Sequence, residues 1–142
     1  MLYIPKHFIV QELVDPVTYK ELRQNALWVM DDRLVWTVDA MREYYKKPIT
    51  INNWYSKGQF SQRGFRPISS GTGAYYSQHR YGRAVDLDVE GVPAEEVRQN
   101  IKQRYKTVNA FKYITTLEAN VNWVHIDCRN VDTSKGIFIV YP

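Results

Sequence analysis

The most constraining feature of the sequence is residues 84–89, where hydrophobic and polar side chains alternate strictly. One set is Val85, Leu87 and Val89, and the other is Ala84, Asp86 and Asp88. Side chains on a strand point alternately to opposite faces, so this period fits a β-strand and not a helix. We therefore predict a sheet with one face against a core and two carboxylates on the other face.

Helices are predicted mainly before this strand. The start signals are an aspartate N-cap followed by proline or by a second aspartate, and cations with a proline end the longest helix. The first predicted helix covers residues 16–23. The second follows Asp31 and Asp32 and is ended by Lys46-Lys47-Pro48, and the third begins at Pro93.

Four further strands are predicted, at residues 49–52, 113–117, 122–128 and 136–141. Helices first and strands later predict an α+β protein. We expect one domain over residues 1–142, in which the amino-terminal helices pack on one face of an antiparallel sheet and a cleft lies on the other.

Composition excludes several classes of protein. The 142 residues are 44% hydrophobic and 24% charged, which argues against disorder. No apolar run approaches the roughly 20 residues of a membrane span, and the start lacks a signal-peptide pattern. The only cysteine, Cys128, makes no internal disulfide. The net charge of +4 is dispersed, so we expect no nucleic-acid partner. We also expect no membrane contact, and a monomer is favoured although the sequence does not establish the oligomeric state.

Three side chains with metal-binding chemistry are expected to converge. His125 lies on a predicted strand, two residues before Asp127 and on the same face, and His79 comes seven residues before Asp86. Two imidazoles and one carboxylate form a three-ligand set that leaves a fourth position open, as in catalytic zinc sites. The alternative is that these are ordinary polar residues of a solvated face.

The ten residues from Ser77 to Asp86 match the pattern Ser-x-His-x-x-Gly-x-Ala-x-Asp. This stretch resembles the signature of zinc peptidases that cut peptidoglycan peptides, namely D-alanyl-D-alanine carboxypeptidases and dipeptidases and L-alanyl-D-glutamate endopeptidases. Further similar segments are Gly64-Phe65-Arg66, Trp123-Val124-His125-Ile126, residues 6–13 and residues 41–51.

The resemblance implies a role for each matching residue. His79, Asp86 and His125 would hold one zinc ion per chain. Arg66 would bind a substrate carboxylate or carbonyl and stabilise the oxyanion, and Ser77 would support the motif turn and the substrate. The implied reaction is metal-assisted peptide hydrolysis, in which a carboxylate moves a proton from the attacking water to the leaving amine.

The sequence departs from this family at the general base, which usually lies three residues before the second histidine. That position is Asn122, and an amide takes no proton. Asp127 is one substitute, with ligand orientation as its alternative role, and Glu118 is another, with a solvated glutamate as its alternative. The third possibility is a site that binds metal but turns over slowly or not at all.

A second departure is the inserted segment, residues 54–63, which precedes Gly64-Phe65-Arg66 in a loop without a regular pattern. It could be a lid, a substrate wall, a partner surface or a plain surface insertion.

Together these features predict a zinc peptidase of peptidoglycan stem peptides, acting as a D,D-carboxypeptidase or an L,D-endopeptidase like phage endolysins. The alternative is a catalytically impaired binding or structural module, such as a component of a phage particle. We expect synthesis in the cytoplasm with action at the bacterial cell wall, or a phage-encoded protein.

Overall fold

A computed structural model describes all residues from 1 to 142. The α-helices are α1 (Val10–Leu13), α2 (Pro16–Leu22), α3 (Asp32–Tyr45) and α4 (Ala94–Arg104). The strands are β1 (Ile49–Thr50), β2 (Ala84–Val89), β3 (Thr116–Glu118), β4 (Val124–Asp127) and β5 (Phe138–Val140). Short 3-10 helices cover Arg23–Val29, Trp54–Ser56, Ile68–Ser70, Gln78–Tyr81 and Asn109–Phe111. The predicted α+β class is confirmed.

The predicted helix starts are confirmed in detail. The Asp15 carboxylate accepts hydrogen bonds from the backbone N–H groups of Val17 and Thr18, which are free at the start of α2. Asp31 caps α3 in the same way. Lys46 ends α3 in a left-handed conformation, with φ of 54°.

The five strands form one mixed sheet in the order β1-β2-β4-β3-β5. Three neighbouring pairs are antiparallel, as predicted, but β5 runs parallel to β3. The reason is topological, because β4 already occupies one edge of β3. Residues 128–137 therefore cross to the other edge, and β5 runs in the direction of β3.

The strands predicted at residues 49–52, 113–117, 122–128 and 136–141 are all shorter than, or shifted from, these ranges, and for β1 and β3 the cause lies in the neighbouring hydrogen bonds. β1 ends at Thr50 because the backbone N–H of Asn52 donates to the Glu12 carbonyl instead of a strand partner. β3 begins at Thr116 because the preceding residues form a turn, in which the Ile114 N–H donates to the Phe111 carbonyl.

The core lies on the face of the sheet that carries Val85, Leu87, Val124 and Ile126. α3 contacts β2, and α4 contacts both β2 and β4, so one helix from each half of the chain covers this face. The opposite face of β2 and β4 is left for polar side chains. None of the helices combines the length and hydrophobicity that a bilayer span requires.

Candidate metal centre

The register of the sheet brings two of the predicted ligands together. Asp86 on β2 lies directly opposite His125 on β4, and both side chains point away from the core face. His79 arrives from the 3-10 helix Gln78–Tyr81, which ends at Gly82 just before β2 begins. Strand pairing and one tight turn therefore assemble the three side chains.

The three side chains are in mutual contact and buried. One ligand atom from each, two imidazole nitrogens and a carboxylate oxygen, lie within 4.8 Å of one another. His125 Nδ1 is 2.9 Å from Asp86 Oδ1, and His79 Nε2 is 3.4 Å from Asp86 Oδ2. The exposed fraction of each residue is below 8%. This cluster could hold a metal ion.

In each histidine, the outer ring nitrogen, which is the one that faces away from the other two clustered side chains, also has a hydrogen-bond partner. His79 Nδ1 is 2.8 Å from the Gly64 carbonyl oxygen, which can only accept a hydrogen bond. His125 Nε2 is 2.9 Å from Asp127 Oδ2. These acceptors hold a proton on the outer nitrogens and direct His79 Nε2 and His125 Nδ1 to the centre. Histidines that bind metals usually have this second contact, so the donor set fits a zinc ion.

The motif Gly64-Phe65-Arg66 links the ligands to the rest of the fold. Gly64 packs so closely on α1 that a Cβ atom there would lie 2.0 Å from the Leu13 carbonyl oxygen. The Arg66 N–H donates to the His79 carbonyl, and Arg66 Nη2 lies 3.0 Å from Asp86 Oδ2. This segment therefore fixes two of the three ligands and places a guanidinium beside them.

The ion pairs within the cluster shift the pKa values of Asp86 and His125. Burial would raise the pKa of Asp86, but hydrogen bonds from His125 and His79 outweigh it and hold that pKa well below its usual range. Burial would lower the pKa of His125, but its bonds to Asp127 and Asp86 raise it to about 9. Without a metal, the His125 ring is thus a cation between two carboxylates.

A model of the family described as Peptidase M15 matches residues 6–127, which include every residue of the cluster. The chain belongs to the peptidase M15 family. The search of curated proteins and the search of solved structures returned no match. Membership indicates a peptide hydrolase and confirms the resemblance carried by the sequence around His79 and Asp86.

In this M15 family member, a cavity of about 470 Å³ opens over the cluster. Among the residues that line it are Arg66, Ser77, Glu118, Trp123 and Arg129, together with the three clustered side chains. Its volume lies within the range of small-molecule and peptide sites. Arg66 and Ser77, both predicted from the motif to contact substrate, therefore face the same space.

The two candidate bases lie in different environments. Glu118 lines the cavity, and its Oε2 is 3.9 Å from His125 Nδ1, the nitrogen that faces the centre. The next step of the β3–β4 register places Glu118 opposite His125, which explains the proximity. Asn122, at the family's usual position for the base, is exposed and lies outside the cavity lining.

Asp127 has a fully buried side chain outside the cavity lining. It accepts hydrogen bonds from Arg129, whose Nε is 2.9 and 3.0 Å from its two oxygens, and from His125. Arg129 is not among the site residues predicted from the sequence. The spacing Asp127-Cys128-Arg129 could have identified it. Residues two apart on a strand share a face, so Arg129 follows Asp127 on the face that also carries His125.

Proposed function

We propose that this chain is a zinc metallopeptidase that hydrolyses peptide bonds in peptidoglycan stem peptides, as a D,D-carboxypeptidase or an L,D-endopeptidase. The observation that supports it best is the cluster of His79, Asp86 and His125, with both inner nitrogens directed to one point. The family match supports hydrolysis of peptides.

In the proposed site, His79 Nε2, His125 Nδ1 and a carboxylate oxygen of Asp86 would hold one zinc ion. When bound, zinc supplies a Lewis acid that polarises a peptide carbonyl and lowers the pKa of the attacking water. Zinc binding would require His125 to give up one proton, because a metal ligand must be deprotonated.

Glu118 serves as the general base in this proposal. It is the carboxylate of the cavity that is not already a ligand, and 22% of its side chain is exposed, enough to meet water and substrate. It takes the proton of the attacking water and passes it to the leaving amine, which restores the carboxylate. Glu118 is the last residue of β3, and its place on a paired strand holds it near the centre.

Arg66 stabilises the negative charge that develops on the carbonyl oxygen. Its guanidinium is largely buried and is oriented by the Gln62 carbonyl, which lies 2.6 Å from Nε. A fixed, permanently charged donor costs little reorganisation during the reaction. Ser77 holds the turn, since its carbonyl accepts from the Arg80 N–H, and presents its side chain to the substrate.

The peptidoglycan substrate and the place of action belong to the proposal as well. The motif shared with peptidoglycan peptidases supports the substrate, and the net charge of +4 favours approach to an anionic wall. We propose action at the bacterial cell wall by a cellular or phage-encoded protein.

The experiment that tests the proposal measures metal content and cleavage in one purified sample. Inductively coupled plasma mass spectrometry gives zinc per chain, and mass spectrometry of a muropeptide digest identifies new peptide termini. We expect one zinc per chain and one type of cleaved bond. His79→Ala should lose both, and unchanged zinc in that variant would contradict the assigned ligands.

A second candidate function is a peptidase fold that binds peptides without turnover. The observation that favours it is Asn122, which removes the carboxylate from the family's usual base position. Stoichiometric zinc and peptide binding without new termini would support this candidate over the peptidase.

A further inference from the structure

A second cavity, whose lining does not include Glu118, adjoins the metal centre. It has a volume of about 290 Å³ and is lined by residues 59–63 together with Arg66, Asp86 and Trp123. The last three residues also line the first cavity. The two cavities are therefore the two sides of one cleft, with a metal ligand and its neighbouring arginine between them.

The inserted segment forms a fixed wall for this second cavity. The N–H groups of Asn53 and Trp54 both donate to the Phe60 carbonyl, at 2.9 and 3.0 Å, and the Asn53 side chain accepts from the Phe60 N–H. The Trp54 indole donates to the Val14 carbonyl at 2.9 Å, which ties the segment to the end of α1. These hydrogen bonds attach the segment to the rest of the protein, as in a packed loop, and leave no hinge about which it could open as a lid.

The wall is aromatic and close to neutral. The Arg63 guanidinium lies 3.7 Å from the centre of the Phe60 ring, and its Nη1 is 2.6 Å from Asp88 Oδ2. Gln59, Ser61 and Gln62 add uncharged polar groups. Such a surface suits an uncharged stretch of peptide, since the ring offers apolar contact and the amides offer hydrogen bonds.

The arginines that line the cleft all have carboxylate partners. The pairs are Arg63 with Asp88, Arg66 with Asp86, and Arg129 with Asp127. Enzymes that remove a terminal residue commonly bind the free carboxylate of the substrate with a cationic side chain. Arg66 is assigned to the carbonyl oxygen of the scissile bond, and Arg63 and Arg129 are held by Asp88 and Asp127, so none of the three is left for a terminal carboxylate. Such a cleft suits a chain that continues past the scissile bond.

We propose that residues 59–63 form a second substrate subsite, which binds uncharged peptide residues on the far side of the scissile bond. This inference rests on the proposed function and selects within it, because a substrate that occupies both cavities is cut at an internal bond. Phe60 is then a specificity residue, and the inserted segment is a substrate wall.

The test compares two substrates with the zinc-loaded protein. One is a stem pentapeptide with a free carboxyl end, and the other is the same peptide extended by two glycines and capped at both ends. Cleavage by the unmodified chain is followed by mass spectrometry. Binding is followed by calorimetry in Glu118→Gln, where the peptide stays intact. We expect the extended peptide to bind about tenfold more tightly and to be cut internally.

Two variants assign this preference to the second cavity. Phe60→Ala should remove most of the tenfold advantage, and Ser61→Tyr, which fills the cavity from another position, should do the same. Tyr55→Ala is the matched control, because Tyr55 is an aromatic residue of the same segment that lines neither part of the cleft. It should keep the advantage.

The outcomes separate this inference from the proposed function. Cleavage of only the terminal residue of the free pentapeptide, or an equal effect of Phe60→Ala on both peptides, would overturn the subsite and leave the peptidase intact. Phe60-dependent binding of the extended peptide without any cleavage would support the subsite and overturn turnover.

Discussion

Each histidine of the centre uses a different ring nitrogen for its outer contact. His79 uses Nδ1, because the Gly64 carbonyl lies beside the 3-10 turn, and His125 uses Nε2, because Asp127 follows two residues later on the same strand. Arg129 in turn holds Asp127. A chain of partners therefore orients His125, and Asp127 is better placed to position a ligand than to move a proton.

This arrangement predicts opposite phenotypes for two conservative substitutions. Asp127→Asn should weaken zinc binding about 10- to 100-fold, because a neutral amide is a poorer acceptor for the His125 ring. Glu118→Gln should keep one zinc per chain and lower kcat at least about 100-fold, because the base is lost. Competition with a chromogenic chelator measures zinc affinity, and steady-state peptide hydrolysis measures kcat.

The reverse result would reassign the two carboxylates. If Asp127→Asn keeps its zinc affinity and loses hydrolysis, while Glu118→Gln stays active, Asp127 is the base.

At the scale of elements, one turn controls the position of His79 relative to β2. Gly82 has φ of 66°, and a Cβ atom there would lie 1.8 Å from the Val29 carbonyl oxygen. Its own carbonyl accepts from the Asp31 N–H at the start of α3. The motif glycine is therefore required both by its backbone conformation and by the close approach of the segment before α3.

We expect Gly82→Ala to destabilise the protein by roughly 3 kcal/mol or more and to weaken zinc binding, because residues 29–31 must move. Gly71→Ala is the control, since Gly71 has nearly the same φ, 65°, but a Cβ atom there would have no neighbouring atom within 4 Å. It should cost only about 1 kcal/mol. Urea unfolding gives both values, and equal costs would show that conformation alone explains the glycine.

The elements that the sequence predicts well are those with local signals. The starts of α2 and α3 follow from Asp15 and Asp31, which pair with backbone groups two or three residues away. The parallel placement of β5 has no local signal, because it depends on which edge of β3 remains free after β4 pairs. The predicted strands are too long because the alternation of hydrophobic and polar residues continues beyond the last hydrogen bond between neighbouring strands.

Part of the candidate site is likewise predicted from the sequence, and part of it depends on the tertiary structure. The sequence motif predicts the clustering of His79, Asp86 and His125, because the motif and strand period place all three on one face. It leaves the choice between Glu118 and Asp127 open, since the predicted third strand ends at Leu117, one residue before Glu118. Only the β3–β4 register places the Glu118 carboxylate at the centre.

At the scale of the whole molecule, core and metal centre lie on opposite faces of the same sheet. The core is a cluster of 25 buried hydrophobic residues that contains none of the three candidate ligands. The ligands also neutralise one another by ion pairs without a metal. We therefore expect the chain to fold without zinc, in contrast to small zinc domains that unfold without it.

Removal of zinc with a chelator should accordingly leave the far-ultraviolet circular dichroism unchanged and lower Tm by about 5–10 °C. This is the shift expected for a ligand that binds only the native state at roughly 100-fold excess over its Kd. His79→Ala, which lacks one ligand, should show no further fall on chelation. Loss of the helical signal on chelation would contradict a core that is independent of the metal.

The pH dependence of stability should differ between the metal-free and zinc-loaded proteins. In the metal-free protein the pKa of His125 is raised from 6.5 to about 9, so its contribution is complete below pH 6.5 and is lost as pH rises through 9. Asp86 and Asp127 have lowered pKa values, so their contribution to stability is lost only below about pH 4.

Zinc binds only the deprotonated His125 ring. Its affinity for the site therefore increases between pH 6.5 and 9, where the metal-free protein loses stability. Urea midpoints measured from pH 5 to 9 should fall above pH 6.5 without zinc. With saturating zinc they should rise up to about pH 6.5 and then level off, because neither the unfolded chain nor the zinc-bound ring carries the His125 proton above that pH. The same fall above pH 6.5 in both samples would show that His125 is not a ligand.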